Sequence, residues 1–331
     1  MKTTVAFSGG KDSTAMLLRL LEEGKQVDQI VFADTGFEFP ELHDYIKRVE
    51  TYIGREITVL KQPSISFKEF KDKQNVLIEK LESKGVEPCS PIYKEGWNED
   101  SEVTKFEEWF YGLSTRGKSA GKQRGFPLLA FPCWWTRESK VKPLEQIQKD
   151  SDIVYVGIAF DEQKRISTKN PQIQYPLNDW EMTEKDCIDY LNKKNMFNPL
   201  YVNFDRLGCY HCPKQSEKSL YVLWKVFPKL WATMKWWDQE TFRITGHYIK
   251  DKIPLNKFEA DFEAGKEPKK LPKYECWNDF LVIRAKDCTQ PICDNCATNN
   301  PDSYHINYRK ALELRKIDND IKNRMVLNDE L

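Results

Sequence analysis

Three groups of residues in this sequence have types and spacings that could do chemistry. The first is Ser8-Gly9-Gly10-Lys11-Asp12-Ser13. Two glycines let a backbone come close to an anion and take positive φ. The hydroxyls of Ser8 and Ser13 and the ammonium of Lys11 suit phosphate oxygens, and Asp12 could hold a metal ion or cap a helix. The pattern G-x-x-x-x-G-K-[ST] is absent, so this is not a Walker loop. The second group is Gly208-Cys209-Tyr210-His211-Cys212-Pro213, whose two thiols at C-x-x-C spacing can reach one metal. A redox pair would want a helix N-terminus after its first Cys, and Pro213 argues for a loop. The third is Cys288, Cys293 and Cys296, spaced C-x4-C-x2-C with Cys276 upstream, which could form a tetrahedral zinc site.

These groups need elements to position them. Residues 3–7 are β-branched and apolar and read as a buried strand, and residues 15–21 read as an apolar helix. A Gly-rich turn from strand to helix aims unpaired N–H groups at one spot, where an anion can sit. A second strand, residues 29–33, ends on Asp34-Thr35-Gly36. Open α/β sheets bind ligands at the carboxyl ends of strands, so Asp34 and Thr35 should face the first loop. Helical spacing over 40–53 stops at Gly54, and residues 56–60 and 153–158 are further strands. Gly157, in the last of these, permits close backbone approach. Strands alternating with helices predict an α/β, doubly wound parallel sheet. Thr183 and Asp186 nearly make a capping box.

The remaining segments read less sharply. Residues 76–85 and 103–111 suggest helices. Residues 114–125 form a basic, Gly-rich loop, either mobile or a lid gripping phosphate through Arg116, Lys118, Lys122 and Arg124. Leu220, Leu223, Trp224, Phe227, Leu230, Trp231, Met234 and Trp237 recur at helical spacing and read as core. Residues 259–273 look like a solvated linker, and 308–325 like a charged helix. Cys187 reads as an ordinary buried thiol and Cys89 as structural.

Lys and Arg number 51 and so do Asp and Glu, so no global field draws the chain to nucleic acid or membrane. Hydrophobic residues make up 40%, enough for a sizeable core. Met1-Lys2 leads directly into the first strand and no apolar run approaches transmembrane length, so a cytoplasmic location without membrane contact is expected. Nine cysteines in a reducing compartment bind metal more often than they pair.

The stretch Ser-Gly-Gly-Lys-Asp-Ser resembles the signature of the PP-loop ATP pyrophosphatases. Followed by Asp34-Thr-Gly-Phe-Glu-Phe-Pro-Glu41, it is similar to the phosphoadenosine phosphosulfate (PAPS) reductase branch. Family-like segments recur at 131–144, at 175–186, and at Gly157-x3-Asp161-Glu162-x2-Arg165. The resemblance implies a PP-loop (adenine nucleotide alpha-hydrolase-like) domain over 1–215, with a variable insertion at 62–128. A smaller helical, Cys-bearing C-terminal region would cover 216–331.

By likeness, Ser8, Gly9, Gly10, Lys11, Asp12, Ser13, Asp34, Thr35, Gly36, Gly157 and Asp161 would bind ATP or a related adenine nucleotide with Mg²⁺. Lys11, Asp12, Asp34 and Arg165 would be catalytic. Arg137, Lys140 and Lys142 would hold substrate phosphates, or else form the solvated start of a helix. Segments similar to 206–213 carry cluster ligands in iron–sulfur members, with another Cys upstream near Cys133. Cys133 lies three residues before Thr136, where the commoner pattern has its Cys immediately before. Cys133, Cys209 and Cys212 would then need a fourth ligand from Cys276, Cys288, Cys293 or Cys296, for a [4Fe-4S] cluster or for zinc.

The implied chemistry is adenylation-coupled sulfur transfer, nearest to the sulfur-incorporating subunit of DNA phosphorothioation systems. Its partners would be a sulfur donor protein and a nucleic-acid substrate. The first alternative is PAPS reductase proper. That enzyme needs a C-terminal Glu-Cys-Gly, whereas this sequence ends Val326-Leu-Asn-Asp-Glu-Leu331. The second alternative is a non-catalytic nucleotide-binding or DNA-associated regulator, against which the intact loop argues.

Overall fold

The computed structural model describes residues 1–268 apart from 128–131, 168, 203 and 205. The chain opens with β1 (Thr3–Phe7), α1 (Lys11–Glu22), β2 (Gln29–Ala33), α2 (Pro40–Ile53) and β3 (Thr58–Leu60). An antiparallel pair, β4 (Ile65–Ser66) and β5 (Glu102–Val103), brackets α3 (Phe67–Glu82), and α4 (Lys105–Phe110) follows. Next come α5 (Trp134–Thr136), a π turn over Arg137–Val141, and α6 (Lys142–Lys149). The remainder is β6 (Ile153–Val156), β7 (Ile173–Gln174), α7 (Pro176–Asp179), α8 (Glu184–Lys193), α9 (Glu217–Val226), α10 (Pro228–Thr245) and α11 (Leu255–Glu263).

The main sheet has the order β3-β2-β1-β6-β7, and every pair in it is parallel. The chain winds outward from β1 to β3, then crosses to the other side of β1 for β6 and β7. The direction therefore reverses between β1 and β6, and in such sheets the crevice for a ligand opens beyond the strand ends at that reversal. Register brings three of these ends level: Phe7 pairs with Phe32, and Ala6 with Val156. Val5, Val31 and Ile30 are almost wholly buried, as strands covered on both faces must be.

Local chemistry explains most boundaries. Pro40 opens α2 and Gly54, at φ +64°, closes it in the left-handed region. Thr183 and Asp186 complete the capping box expected for α8. The helix expected over 76–85 instead begins at Phe67, because Ser66 caps it by accepting from Glu69 N at 3.1 Å. Thr104 and Glu107 cap α4 in the same way. The π turn precedes Pro143, which has no N–H to continue the ordinary ladder. The linker expected over 259–273 is helical in its first part, where α11 runs to Glu263.

Residues 114–125 are tied to the body by backbone and side-chain hydrogen bonds. Ser114 N donates to Lys122 O at 2.8 Å, Gly121 N to Ser114 O at 2.9 Å, and Cys89 N to Gly121 O at 2.8 Å. Buried Gln123 bonds Ile92 O and Tyr111 O.

The aromatic stripe after residue 216 is core, as its spacing implied. Leu220, Leu223, Phe227, Trp231, Met234 and Trp237 are buried in the same apolar cluster as β1 and α1. Phe39, 1% exposed, packs on Phe204 at 4.7 Å and Phe227 at 5.3 Å. Burying one such ring contributes about 2 kcal/mol. The loop after β2 is thereby clamped between the sheet and the C-terminal helices. No helix among the described residues is long and apolar enough to cross a membrane.

Candidate nucleotide site

The loop after β1 is held by its own side chains and by one distant segment. Ser8 Oγ and Ser13 Oγ are 2.8 Å apart, and Ser13 Oγ also donates to Gly10 O at 3.1 Å. Gly9 takes φ +69°, which a side chain would strain, and a Cβ there would meet Leu42 Cδ1 at 2.6 Å. Gly10 does not share that conformation: its φ is −81°, and it caps α1 in the extended region. Asn198 donates to Gly9 O at 2.9 Å, and Lys11 N donates to the Tyr201 hydroxyl at 3.1 Å. Gly157, just past β6, lies so close that a Cβ would stand 2.8 Å from Ser13 N and Cα. Only glycine permits this contact between the end of β6 and the first turn of α1.

Charge concentrates at the first turn of α1. Lys11 Nζ is 2.6 Å from Glu184 Oε1, 3.5 Å from Asp12 Oδ2, and 5.4 Å from the Tyr201 ring centre. Burial works against its charge, but the Glu184 bond and Asp12 prevail and its pKa is raised. Burial pushes Asp12 up to about 6; Lys11 opposes the shift, while Glu184 and Glu162 add to it. One carboxylate oxygen each from Asp12, Glu162 and Glu184 lie within 4.8 Å of one another. Asp12 Oδ1 is buried with no hydrogen-bond partner. A converging carboxylate set with an orphaned buried oxygen fits a hard, oxygen-seeking cation such as Mg²⁺. Asp161 accepts from Glu184 N at 3.1 Å, which fixes the start of α8 beside the loop. Arg165 is mainly exposed and pairs with Glu162 at 2.5 Å.

A second polar cluster lies at the end of β2. Asp34 accepts from Gly36 N at 2.7 Å and lies 3.9 Å from Lys61 Nζ. Thr35 donates to Glu38 at 3.0 Å, and Lys140 reaches the same Glu38 oxygen at 3.2 Å. Burial opposes the Lys140 charge, but Glu38 outweighs it and holds the ammonium protonated. The Cys209 thiol donates to Thr35 Oγ1 at 3.3 Å, and burial pushes it up to about 12. The C-x-x-C segment is a turn, with Cys212 N donating to Cys209 O at 3.1 Å. Its anchor is the loop after β2, where Tyr210 N donates to Phe37 O at 3.0 Å. His211 is 2% exposed among Phe37, Phe106, Phe126 and Tyr210, and burial holds its pKa well below the usual imidazole value.

The structure thus gathers Ser8 to Ser13, Gly157 and Asp161 at one place, and Asp34, Thr35, Gly36, Lys140 and Cys209 at another. It does not gather Arg137, Lys140 and Lys142. Arg137 is exposed without a partner among the described residues, while Lys142 pairs with Glu138 at 2.6 Å. Cys133 is half-buried, and no cysteine joins a group of three ligand atoms within 4.8 Å among the described residues. Two half-buried thiols on one turn fit the beginning of a thiolate centre. Cys276, Cys288, Cys293 and Cys296 lie outside the described residues.

Tyr201, Asn198, Glu184 and Glu38 join the site through the fold. Glu184 and Glu38 stand in the family-like segments 175–186 and 34–41, whereas Tyr201 and Asn198 carry no sequence signal.

Two curated relatives, both from Methanocaldococcus jannaschii, are similar to this chain. The uncharacterized protein MJ0066 is 29% identical over 244 residues, covering 70% of this chain and 40% of the relative. The uncharacterized protein MJ0973 is 25% identical over 236 residues, covering 70% of this chain and 46% of the relative. The chain thus spans less than half the length of these curated relatives. Residues 2–215 match the family described as the phosphoadenosine phosphosulfate reductase domain, and with this stretch of parallel sheet and Gly-rich loop the chain belongs to that family.

Proposed function

We propose that this chain is an enzyme that binds ATP, or a related adenine nucleotide, through the Ser8–Gly9–Gly10–Lys11–Asp12–Ser13 loop and uses it to activate a substrate for sulfur transfer. One observation carries the reading: Gly157, just past β6, packs against Asp12 and Ser13 of this loop, with Lys11 and a three-carboxylate cluster beside it. A magnesium ion held by Asp12, Glu162 and Glu184 would neutralise phosphate charge. A substrate oxygen attacks the α-phosphorus, the α–β bridge breaks, and pyrophosphate leaves with the bond's electron pair. Lys11 and the N–H groups of the first turn of α1 stabilise that leaving charge. A sulfur nucleophile then displaces AMP from the adenylated substrate.

In this reading the acceptor is a nucleic acid and a donor protein brings the sulfur. Thr35, Lys140 and Cys209, which meet around Glu38, would handle the sulfur-bearing partner. A thiolate centre on Cys209 and Cys212, with Cys133 and a C-terminal Cys, would supply sulfur handling or electrons when bound. A chain binding ATP releases pyrophosphate in the presence of its acceptor, and Lys11→Ala abolishes that release while leaving the protein folded. Retained pyrophosphate release in the variant overturns the assignment.

Membership of the family itself favours a second reading, reduction of PAPS. Thioredoxin-dependent sulfite release from PAPS, without pyrophosphate release from ATP, would select it.

A further inference from the structure

A cavity of about 550 Å³ opens between α3, α4 and the Arg137–Lys149 stretch, with Arg124 at one wall. Five cations line it: Lys73, Lys80, Lys105, Arg124 and Lys142. Only two carboxylates do, Glu108 and Glu138. A chain with equal numbers of acidic and basic residues therefore concentrates three excess positive charges in one recess. Such a recess focuses potential on an anion.

The two carboxylates act on several of these cations, including Arg124 and Lys73, but they are outnumbered. Glu108 is held by Lys105 at 2.7 Å and Glu138 by Lys142 at 2.6 Å. Lys80 has no ion-pair partner among the described residues, and Lys73 pairs with Glu69 at 2.9 Å, an exposed pair worth little in water, with Glu108 adding to the field at its ammonium. Arg124 is fixed in place. Its guanidinium lies 4.5 Å from the Trp109 ring centre and donates to Trp109 O at 3.3 Å. Trp134 stacks on Trp109 at 5.7 Å with a 21° tilt. Trp109 is therefore committed to holding cations rather than to stacking a base, and the recess reads charge.

No residue lining this recess belongs to the Ser8–Ser13 loop, its carboxylate cluster or the Asp34 and Glu38 cluster. Lys140, which points to Glu38 and Thr35, and Lys142, which lines the recess, are two residues apart on one helical run. Lys140 bonds Glu38 and Lys142 bonds Glu138, so the two side chains leave the run in different directions. The volume exceeds what one inorganic phosphate needs and falls within the usual range for ligands, about 300–1,000 Å³.

We propose that this recess binds a ligand carrying closely spaced phosphate groups, recognised by Lys73, Lys80 and Arg124, at a site distinct from the Ser8–Ser13 loop. The phosphates belong either to a free polyphosphate or to a nucleic-acid backbone. The inference does not depend on the proposed sulfur-transfer chemistry.

The test uses the full chain bearing Lys11→Ala, so that the loop contributes little. Inorganic tripolyphosphate and a short fluorescent oligodeoxythymidylate are titrated by calorimetry and by anisotropy. Saturable binding that survives Lys11→Ala and weakens about tenfold or more in Lys11→Ala/Lys73→Glu/Lys80→Glu supports the site, with affinity falling steeply as salt rises. Tripolyphosphate as the tighter ligand identifies a free polyphosphate, and the oligonucleotide as the tighter one identifies a backbone. Both substituted lysines are exposed, and an unchanged melting temperature establishes folding. No saturable binding of either probe to the Lys11→Ala protein, or equal affinity in the charge-reversed variant, overturns the proposal.

Discussion

Asp12→Asn should stabilise this protein at neutral pH and at the same time abolish its activity. Asp12 is buried beside Glu162 and Glu184, and its pKa rises from 3.8 to about 6, chiefly through burial. A carboxyl whose folded pKa is raised contributes stability below its unfolded pKa and loses that contribution as pH climbs through the folded one. Wild-type stability should therefore fall between about pH 4 and about pH 6 from this group alone. The shift is about two units, and at ~1.4 kcal/mol per unit the ionised carboxylate costs up to about 3 kcal/mol at neutral pH.

An asparagine removes the charge and keeps the shape. Urea unfolding across pH should show the variant more stable by up to about 3 kcal/mol near pH 7, with the difference vanishing near pH 4. Magnesium should narrow the gap by stabilising the wild type more than the variant. A variant no more stable than wild type at neutral pH, or a gap of the same size at both ends of the range, refutes the reasoning.

Gly157→Ala places a methyl 2.8 Å from Ser13 backbone atoms that cannot move away, and should cost about 1–3 kcal/mol in unfolding free energy and weaken nucleotide binding. Thr183→Ala removes the cap of α8 and should cost about 1 kcal/mol, with unfolding otherwise cooperative, as read by circular dichroism. Cys209→Ser with Cys212→Ser should abolish the metal content and visible absorbance of anaerobically purified protein, measured by elemental analysis, while ATP binding persists. Full metal content in that double variant excludes the C-x-x-C turn as a ligand source.

Much of this arrangement is legible in the sequence because its causes are local. A β-branched run, two glycines and an apolar helix specify the strand–loop–helix unit. Gly54 ends α2, and Thr183 with Asp186 starts α8. The parallel sheet follows from the alternation of elements. What failed locally failed for identifiable reasons. Ser66 begins α3 nine residues before the apolar spacing becomes readable. The loop at 114–125 has the composition of a mobile segment, yet Gln123 and backbone pairings with Cys89 pin it.

The sequence by itself determined that a Gly-rich turn bearing Lys11 leads into α1, that Asp34 follows β2, and that two thiols share one turn. Tertiary structure alone decided the company each keeps. Glu184 lies 173 positions from Lys11 and Tyr201 lies 190, yet both bond it. Glu38 becomes the partner of Lys140 only when the π turn lies against the end of β2. Lys140 and Lys142 look equivalent on the page, but the helix directs one to the crevice and the other to a basic recess. Such pairings depend on how the apolar faces of the helices pack, which fixes distances that chain spacing cannot encode.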